Sequence, residues 1–98
     1  MLFIRAKIST IGGEAMPSTR DIYIDIISGT KDKNIRFIDL QKILSAVGFN
    51  CRIKGDHFIY YKAGIGEIIN IQPDGNKAKP YQVKQVRNLL AKYKLEVK

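Results

Sequence analysis

Residues 49–54 alternate without a break: Phe49, Cys51 and Ile53 point one way, Asn50, Arg52 and Lys54 the other. A period of two marks a half-buried strand. Gly55-Asp56 follows, a two-residue turn with glycine first, which suits type II′ geometry. His57–Lys62 is then the returning strand. A hairpin of this kind commits the middle of the chain to an antiparallel sheet, and the remaining elements have to be arranged around it.

The flanking segments supply the other layers. Residues 63–66 read as a loop, residues 67–72 as a third strand, and Pro73-Asp74-Gly75-Asn76 as turn chemistry. Upstream, Thr19–Ser28 carries Ile22, Tyr23, Ile26 and Ile27 on one helical stripe. Ser18 or Thr19 stands ready to cap it, and Gly29 suits the left-handed position after it. The β-branched run Tyr23-Ile24-Asp25-Ile26-Ile27 is also strand-like, so the two readings compete here. Thr30 to Asn34 is a polar connection. Residues 38–47 form a stronger helix, with Leu40, Ile43, Leu44 and Val47 at i, i+3, i+4 and i+7, and Gly48 ends it. The last helix runs over residues 80–93, with Pro80 at its favoured first position and Val83, Val86, Leu90 and Tyr93 inward, flanked by Leu89. A sheet of three short strands cannot bury itself, so helices must cover one face, leaving the other to solvent or a partner. The expected fold class is α+β: a three-stranded antiparallel sheet with helices packed on one face, in the element order of a double-stranded-RNA-binding domain. Element order alone does not give function.

Length and composition narrow the classes. The chain has 98 residues, is 45% hydrophobic and 27% charged, and holds three prolines, which describes one folded domain with no room for a second core. No apolar run approaches the roughly 20 residues of a membrane helix. Arg5 and Lys7 interrupt what would be the apolar core of an export signal. The single Cys51 cannot form an internal disulfide and fits a reducing cytoplasm. Cys51 and His57 are the only soft ligands, so no zinc site is written here, and no metal or small-molecule cofactor is expected. Cys51 itself reads as core.

Net charge is +8. Residues 1–30 balance Arg5, Lys7 and Arg20 against Glu14, Asp21 and Asp25, so the whole excess lies in residues 31–98, the segment that holds His57. Such a domain attracts polyanions, although a lysine-rich soluble surface has the same composition. The N-terminus is anomalous. Gly12-Gly13-Glu14-Ala15 precedes Met16 and can be encoded by a purine-rich, ribosome-binding-like run upstream of an ATG. Residues 1–15 are therefore expected to be an over-called extension, with a single domain over residues 16–98. The other reading of residues 1–15 is a short extra strand around Phe3 and Ile8.

The only histidine, His57, stands where the hairpin turn hands over to the return strand. Histidine alone among side chains exchanges its proton near neutral pH without special help. A lone strand histidine is nonetheless more often packing than chemistry. Residues 35–95 resemble the HicA family of bacterial toxins. The matching features are Ile35-Arg36-Phe37 before a leucine-patterned helix, Val47-Gly48-Phe49 at its end, and Gly55-x-His57 running into Phe58-Ile59-Tyr60. Ile71-Gln72-Pro73, Gly75-Asn76-Lys77 and Lys79-Pro80-Tyr81-Gln82-Val83 follow in order. The resemblance implies a small endoribonuclease acting on mRNA, a double-stranded-RNA-binding-like fold, and a cytoplasmic HicB-type antitoxin that blocks the active site. It makes His57 the catalytic residue. Two departures stand beside it: Asp56 where the family usually has serine, and Phe58 where it usually has a second histidine.

The chemistry follows from RNA itself, whose 2′-hydroxyl is a built-in nucleophile. Metal-free cleavage needs a base for that proton, an acid for the 5′-oxygen, and positive charge at the phosphate. His57 as general base is a role worth about 10² to 10⁴ in rate. Lys54, Gly55 and Asp56 at the turn, and Lys77 and Lys79 before the last helix, are the candidate RNA and phosphate contacts. The uncapped start of that helix leaves backbone N–H groups for a phosphate. The same lysines also read as solvated loop charges. Lys84 and Arg87 read as outer surface of the last helix, though they could meet the RNA or acidic groups of HicB. Of Tyr60 and Tyr61 only one can be core, and the other reads as a partly exposed packing tyrosine before a ring that stacks on a base. Two readings from other classes stand beside the enzyme: a non-catalytic RNA- or DNA-binding module on the same scaffold, and a subunit whose open surface serves HicB alone.

Overall fold

The computed structural model describes residues 17–97. The proposed start at Met16 and the segment before it lie outside the described residues. The observed order is α1 (Thr19–Ser28), a 3-10 turn (Asp32–Asn34), α2 (Phe37–Ala46), β1 (Asn50–Lys54), β2 (His57–Lys62), β3 (Ile65–Ile71), a two-residue ribbon β4 (Pro73–Asp74) and β5 (Lys77–Ala78), and α3 (Pro80–Lys92). Among the described residues this is an α+β fold with three α-helices and a three-stranded antiparallel sheet in the order β1-β2-β3. Among the described residues no helix is long and apolar enough to cross a membrane.

The competition between helix and strand over residues 23–27 is settled at the ends of α1. The Ser18 hydroxyl accepts the Asp21 backbone N–H at 3.1 Å, and the Asp21 carboxylate accepts the Ser18 N–H at 3.4 Å. That reciprocal cap satisfies two donors that otherwise have no partner. Gly29 closes the helix at φ 73°, where a side chain would be strained. Ile22 and Ile26 are buried one turn apart, while Ile27 stays exposed at the edge of the stripe. Leu40, Ile43 and Leu44 of α2 and Val47 at its C-cap are all buried, as their spacing predicts.

The hairpin turn is the one expected. Lys54 pairs directly with His57, so Gly55-Asp56 is the whole turn. Gly55 has φ +64° and Asp56 does not have a positive φ, which distinguishes type II′ from type I′. β3 begins two residues earlier than expected. Gly64, at φ +87°, makes the turn with Ala63 alone, which frees Ile65 to pair with Lys62.

Phe58, Tyr60, Ile69 and Ile71 share the face that the helices cover, joined by Leu40, Ile43, Leu44, Val83, Val86 and Leu90 in one core. Phe58 meets Phe37 edge-on, with ring centroids 5.1 Å apart. Register puts Cys51 opposite Tyr60 and Ile53 opposite Phe58, hence on the same face. Both are nevertheless exposed, Ile53 at 65%, which corrects the reading of Cys51 as core. Among the described strands β1 is an edge strand, and its apolar side overhangs the helical layer instead of meeting it. Tyr60 is the core member of the Tyr60-Tyr61 pair.

Arg87 is a second correction. It does not lie on the outer surface but turns inward. Its guanidinium donates to both Asp32 carboxylate oxygens, at 2.8 and 3.1 Å, and to the Ile26 carbonyl at 3.1 Å. One side chain thus closes the last turn of α1 and fastens it to α3 and the 3-10 turn. Lys84, by contrast, is exposed as expected. At the other end of α3, Glu67 accepts from Lys92 at 2.6 Å and from the Tyr93 hydroxyl, tying the start of β3 to the helix terminus.

Candidate active site

Among the described residues, nothing covers the face of the sheet opposite the helices. Alternation and register place Asn50, Arg52 and Lys54 of β1, His57, Ile59 and Tyr61 of β2, and Ile68 and Asn70 of β3 on it. His57 lies on this face at the mouth of the hairpin, half-buried, with its side chain 45% exposed. It is therefore neither sealed in the core nor loose in solvent.

Both ring nitrogens have neighbours. Nδ1 lies 3.1 Å from Asn70 Oδ1. Nε2 lies 3.3 Å from the Gln72 side-chain nitrogen, which also donates to Asp56 Oδ2 at 3.5 Å. The Asn70 oxygen can only accept, and the Gln72 nitrogen can only donate. The two contacts are compatible with one neutral tautomer, protonated on Nδ1 with the Nε2 lone pair facing the Gln72 amide. The partner of one ring nitrogen thereby assigns the role of the other. Asp56 Oδ1 is 3.7 Å from Nε2, close enough to pair with the ring once Nε2 takes a proton. The neutral ring thus has an amide on each side, and the protonated ring has a carboxylate in reach.

Asn70 and Gln72 are in turn held from below. Asn70 lies in β3 and Gln72 just past its end, along the edge where no further strand pairs among the described residues. The buried Gln82, in the first turn of α3, occupies that edge. Its Nε2 donates to the Asn70 carbonyl and its Oε1 accepts the Gln72 N–H, both at 3.4 Å. A side-chain amide here does what the peptide of a fourth strand would do. The start of α3 is therefore coupled through β3 to the imidazole.

The structure brings Lys54, Gly55, Asp56 and His57 together at one turn. Lys79 is the N-cap residue of α3, and no side chain caps that helix start, as the sequence suggested. Lys77 is placed elsewhere: its ammonium donates to Asn34 at 2.9 Å, and it anchors the β4-β5 ribbon to the 3-10 segment. Phe58, where the resembled family usually has histidine, is half-buried against the core and lies on the face away from His57. Sequence reasoning did not assign roles to Asn70, Gln72 and Gln82. A signal for the first two was present: Ile69 and Ile71 mark the core side of β3, so Asn70 and Gln72 must share the opposite side with His57.

The strongest pKa displacement lies on the core side. Burial pushes the Tyr60 phenol up to about 12, against an opposing hydrogen bond from Gln41. Glu67 is held below the usual carboxylate range by Lys92 and then Tyr93, and Lys92 and Tyr93 are both raised chiefly by Glu67. These groups brace the fold. No group of three or more His, Cys, Asp or Glu side chains able to hold a metal ion is found among the described residues. No protein-family model, no curated protein and no solved structure matches the chain.

Proposed function

We propose that this chain is a toxin-type endoribonuclease that cleaves mRNA without a metal or cofactor, with His57 as general base and acid. The observation that carries the reading is the imidazole itself: half-exposed, on a basic face, with contacts that suit a defined tautomer. The fold is read as double-stranded-RNA-binding-domain-like, because α2, the meander β1-β2-β3 and α3 follow in that order.

In this mechanism Gln72 swings away and the Nε2 lone pair takes the 2′-hydroxyl proton. The 2′-oxygen attacks the adjacent phosphorus, the bond to the 5′-oxygen breaks, and that oxygen leaves with a proton. The products are a 2′,3′-cyclic phosphate and a free 5′-hydroxyl. Asp56 stabilises the imidazolium between the two transfers, a function a serine would not supply. Lys54, beside His57 across the turn, meets the phosphate charge; Gly55 lets the backbone approach it. Lys79 and the uncapped start of α3 are the second anion contact. Lys77 joins them only by leaving Asn34. The expected partner is a HicB-type antitoxin in the cytoplasm, covering the His57 face.

His57→Gln tests the reading. Freshly prepared protein should cut single-stranded RNA and leave cyclic phosphate ends, and the variant should lose at least about 10²-fold in rate while keeping its fold. Cleavage by the variant at the parent rate rejects the enzyme. One observation favours the alternative, a non-catalytic RNA- or DNA-binding module: Gln72 occupies Nε2, the nitrogen a base must present. An intact parent that binds RNA without cutting it would establish that alternative.

A further inference from the structure

We propose that the open sheet face is a track for single-stranded RNA, on which Tyr61, flanked by Arg52 and Ile68, stacks an unpaired base. The choice of RNA over other polyanions rests on the ribonuclease reading above; the track itself rests on the face.

Three observations converge. First, the described strand residues on this face carry the cations Arg52 and Lys54 and no carboxylate; Asp56 lies in the hairpin turn beside His57, and Glu67 alternates to the helix side, where Lys92 and Tyr93 engage it. Second, the face presents ring and apolar surface between the charges. Tyr61 is 38% exposed, Ile68 is 57% exposed, and the two line a hollow of about 370 Å³ with Arg52. A second hollow of about 330 Å³, lined by Arg52, Lys54 and Ile59 of this face and by Ile53 of the other, lies at the β1 edge toward the hairpin turn. Third, the geometry of Tyr61 is built. The register slips between Tyr60 and Lys62, so β3 spends extra residues opposite Tyr61, and such irregularities re-aim a side chain. The Arg52 guanidinium then sits 5.8 Å from the Tyr61 ring centroid.

Charge alone would suit any polyanion. The ring and the apolar flank do not: they match the flat face of a base, which is accessible only when the base is unpaired. A duplex hides its base faces and offers phosphates. Along β2, Tyr61 lies four residues from His57, which is about 13 Å of strand. A strand lying along β2 thus carries one base on Tyr61 while a phosphate reaches His57.

The test uses His57→Gln protein, to prevent cleavage, and a fluorescein-labelled mixed-sequence RNA 10-mer, alone or annealed to its complement. Fluorescence anisotropy should show preference for the single strand. Tyr61→Ala in this background should weaken binding about tenfold without changing its salt dependence, and Tyr61→Phe should bind as the parent does. Ile68→Glu, an exposed change that adds a carboxylate to the face, should weaken it as well. Equal affinity for the duplex, or Tyr61→Ala and Ile68→Glu binding like the parent, overturns the track even if the wild-type protein cleaves RNA. Loss of binding in Tyr61→Ala, with a wild-type protein that leaves RNA intact, keeps the track and removes the nuclease. A face covered by a second copy would instead show a dimer that Ile68→Glu dissociates, with no change in RNA affinity, and this too rejects the proposal.

Discussion

Gln82 offers the sharpest test of how this fold holds its site. It is only 2% exposed, and it makes two hydrogen bonds, both to backbone groups of the free edge of β3. Gln82→Met keeps nearly the same length and volume, so packing changes little. The Asn70 carbonyl and the Gln72 N–H, however, lose their partner. An unsatisfied buried backbone group costs about 1–3 kcal/mol. Both bonds are only part-buried and 3.4 Å long, toward the weak end, so the low end of that range, about 1–1.5 kcal/mol, applies to each. The sum is about 2–3 kcal/mol, a large share of the 5–15 kcal/mol typical of such domains. At about 4–8 °C per kcal/mol for a domain of this size, Tm should fall by roughly 8–24 °C. Urea denaturation followed by circular dichroism measures the free energy directly, with exposed Gln85→Ala as control, expected within about 0.5 kcal/mol of the parent. Gln82→Glu should be worse than Gln82→Met, because a carboxylate oxygen would then face the Asn70 carbonyl. If Gln82→Met unfolds within 0.5 kcal/mol of the parent, the amide is not closing the sheet edge, and the coupling of α3 to His57 loses its physical basis.

Other expectations can be checked on the same protein. Arg87→Met should destabilise by about 1.5–3 kcal/mol in chemical denaturation, because it strands Asp32 and uncaps the Ile26 carbonyl; a surface arginine would cost almost nothing. Tyr60 has a folded pKa raised to about 12. Its contribution to stability is therefore complete below the ordinary tyrosine value, near 10, and is lost as pH rises toward 12. Tyr60→Phe should flatten that part of the stability-pH profile. Glu67 behaves in the opposite sense: its lowered pKa contributes stability above the usual carboxylate range, lost as pH falls through the folded value, and Glu67→Gln should remove that acid-side slope.

The legible parts of this fold are those decided by short-range rules. Gly55-Asp56 fixed the turn because its φ requirement falls on the one residue without a side chain. The leucine spacing of α2 fixed its buried face. What the sequence concealed was decided at longer range. Cys51 alternates faultlessly with Phe49 yet is exposed, because its burial depends on whether a helix extends over an edge strand. Arg87 has the pattern of a surface residue, and only the packing of α1 against α3 turns it toward Asp32 and Ile26. Glu67 carries only a strand pattern in the sequence, and its link to Lys92 and Tyr93 spans 25 residues or more. The C-terminal tail carried no clear signal, but Tyr23 donates to the Leu95 carbonyl at 3.1 Å and Val97 is buried. The candidate site divides in the same way. His57, Asp56 and Lys54 were visible as one turn; Asn70 and Gln72 required the register between β2 and β3.

Asn70 and Gln72 should therefore behave oppositely under one chemistry, although both contact the same ring. Asn70 accepts from Nδ1 and so fixes which nitrogen carries the proton and where Nε2 points. Asn70→Ala removes that anchor, and cleavage should fall at saturating RNA with little change in RNA affinity. Gln72 sits on Nε2 and must move before substrate can enter. Gln72→Ala clears the nitrogen, so turnover should hold or rise and KM should drop or stay level. Asn70→Asp sharpens the comparison: a carboxylate at Nδ1 keeps the anchor and stabilises the imidazolium, so the lower limb of the kcat-pH profile should move to higher pH. A purely structural role for the two amides predicts parallel losses, because either change loosens the same edge of β3. Parallel losses in Asn70→Ala and Gln72→Ala, with an unmoved pH profile in Asn70→Asp, would show that the amides only pack against the histidine and that the tautomer argument is wrong.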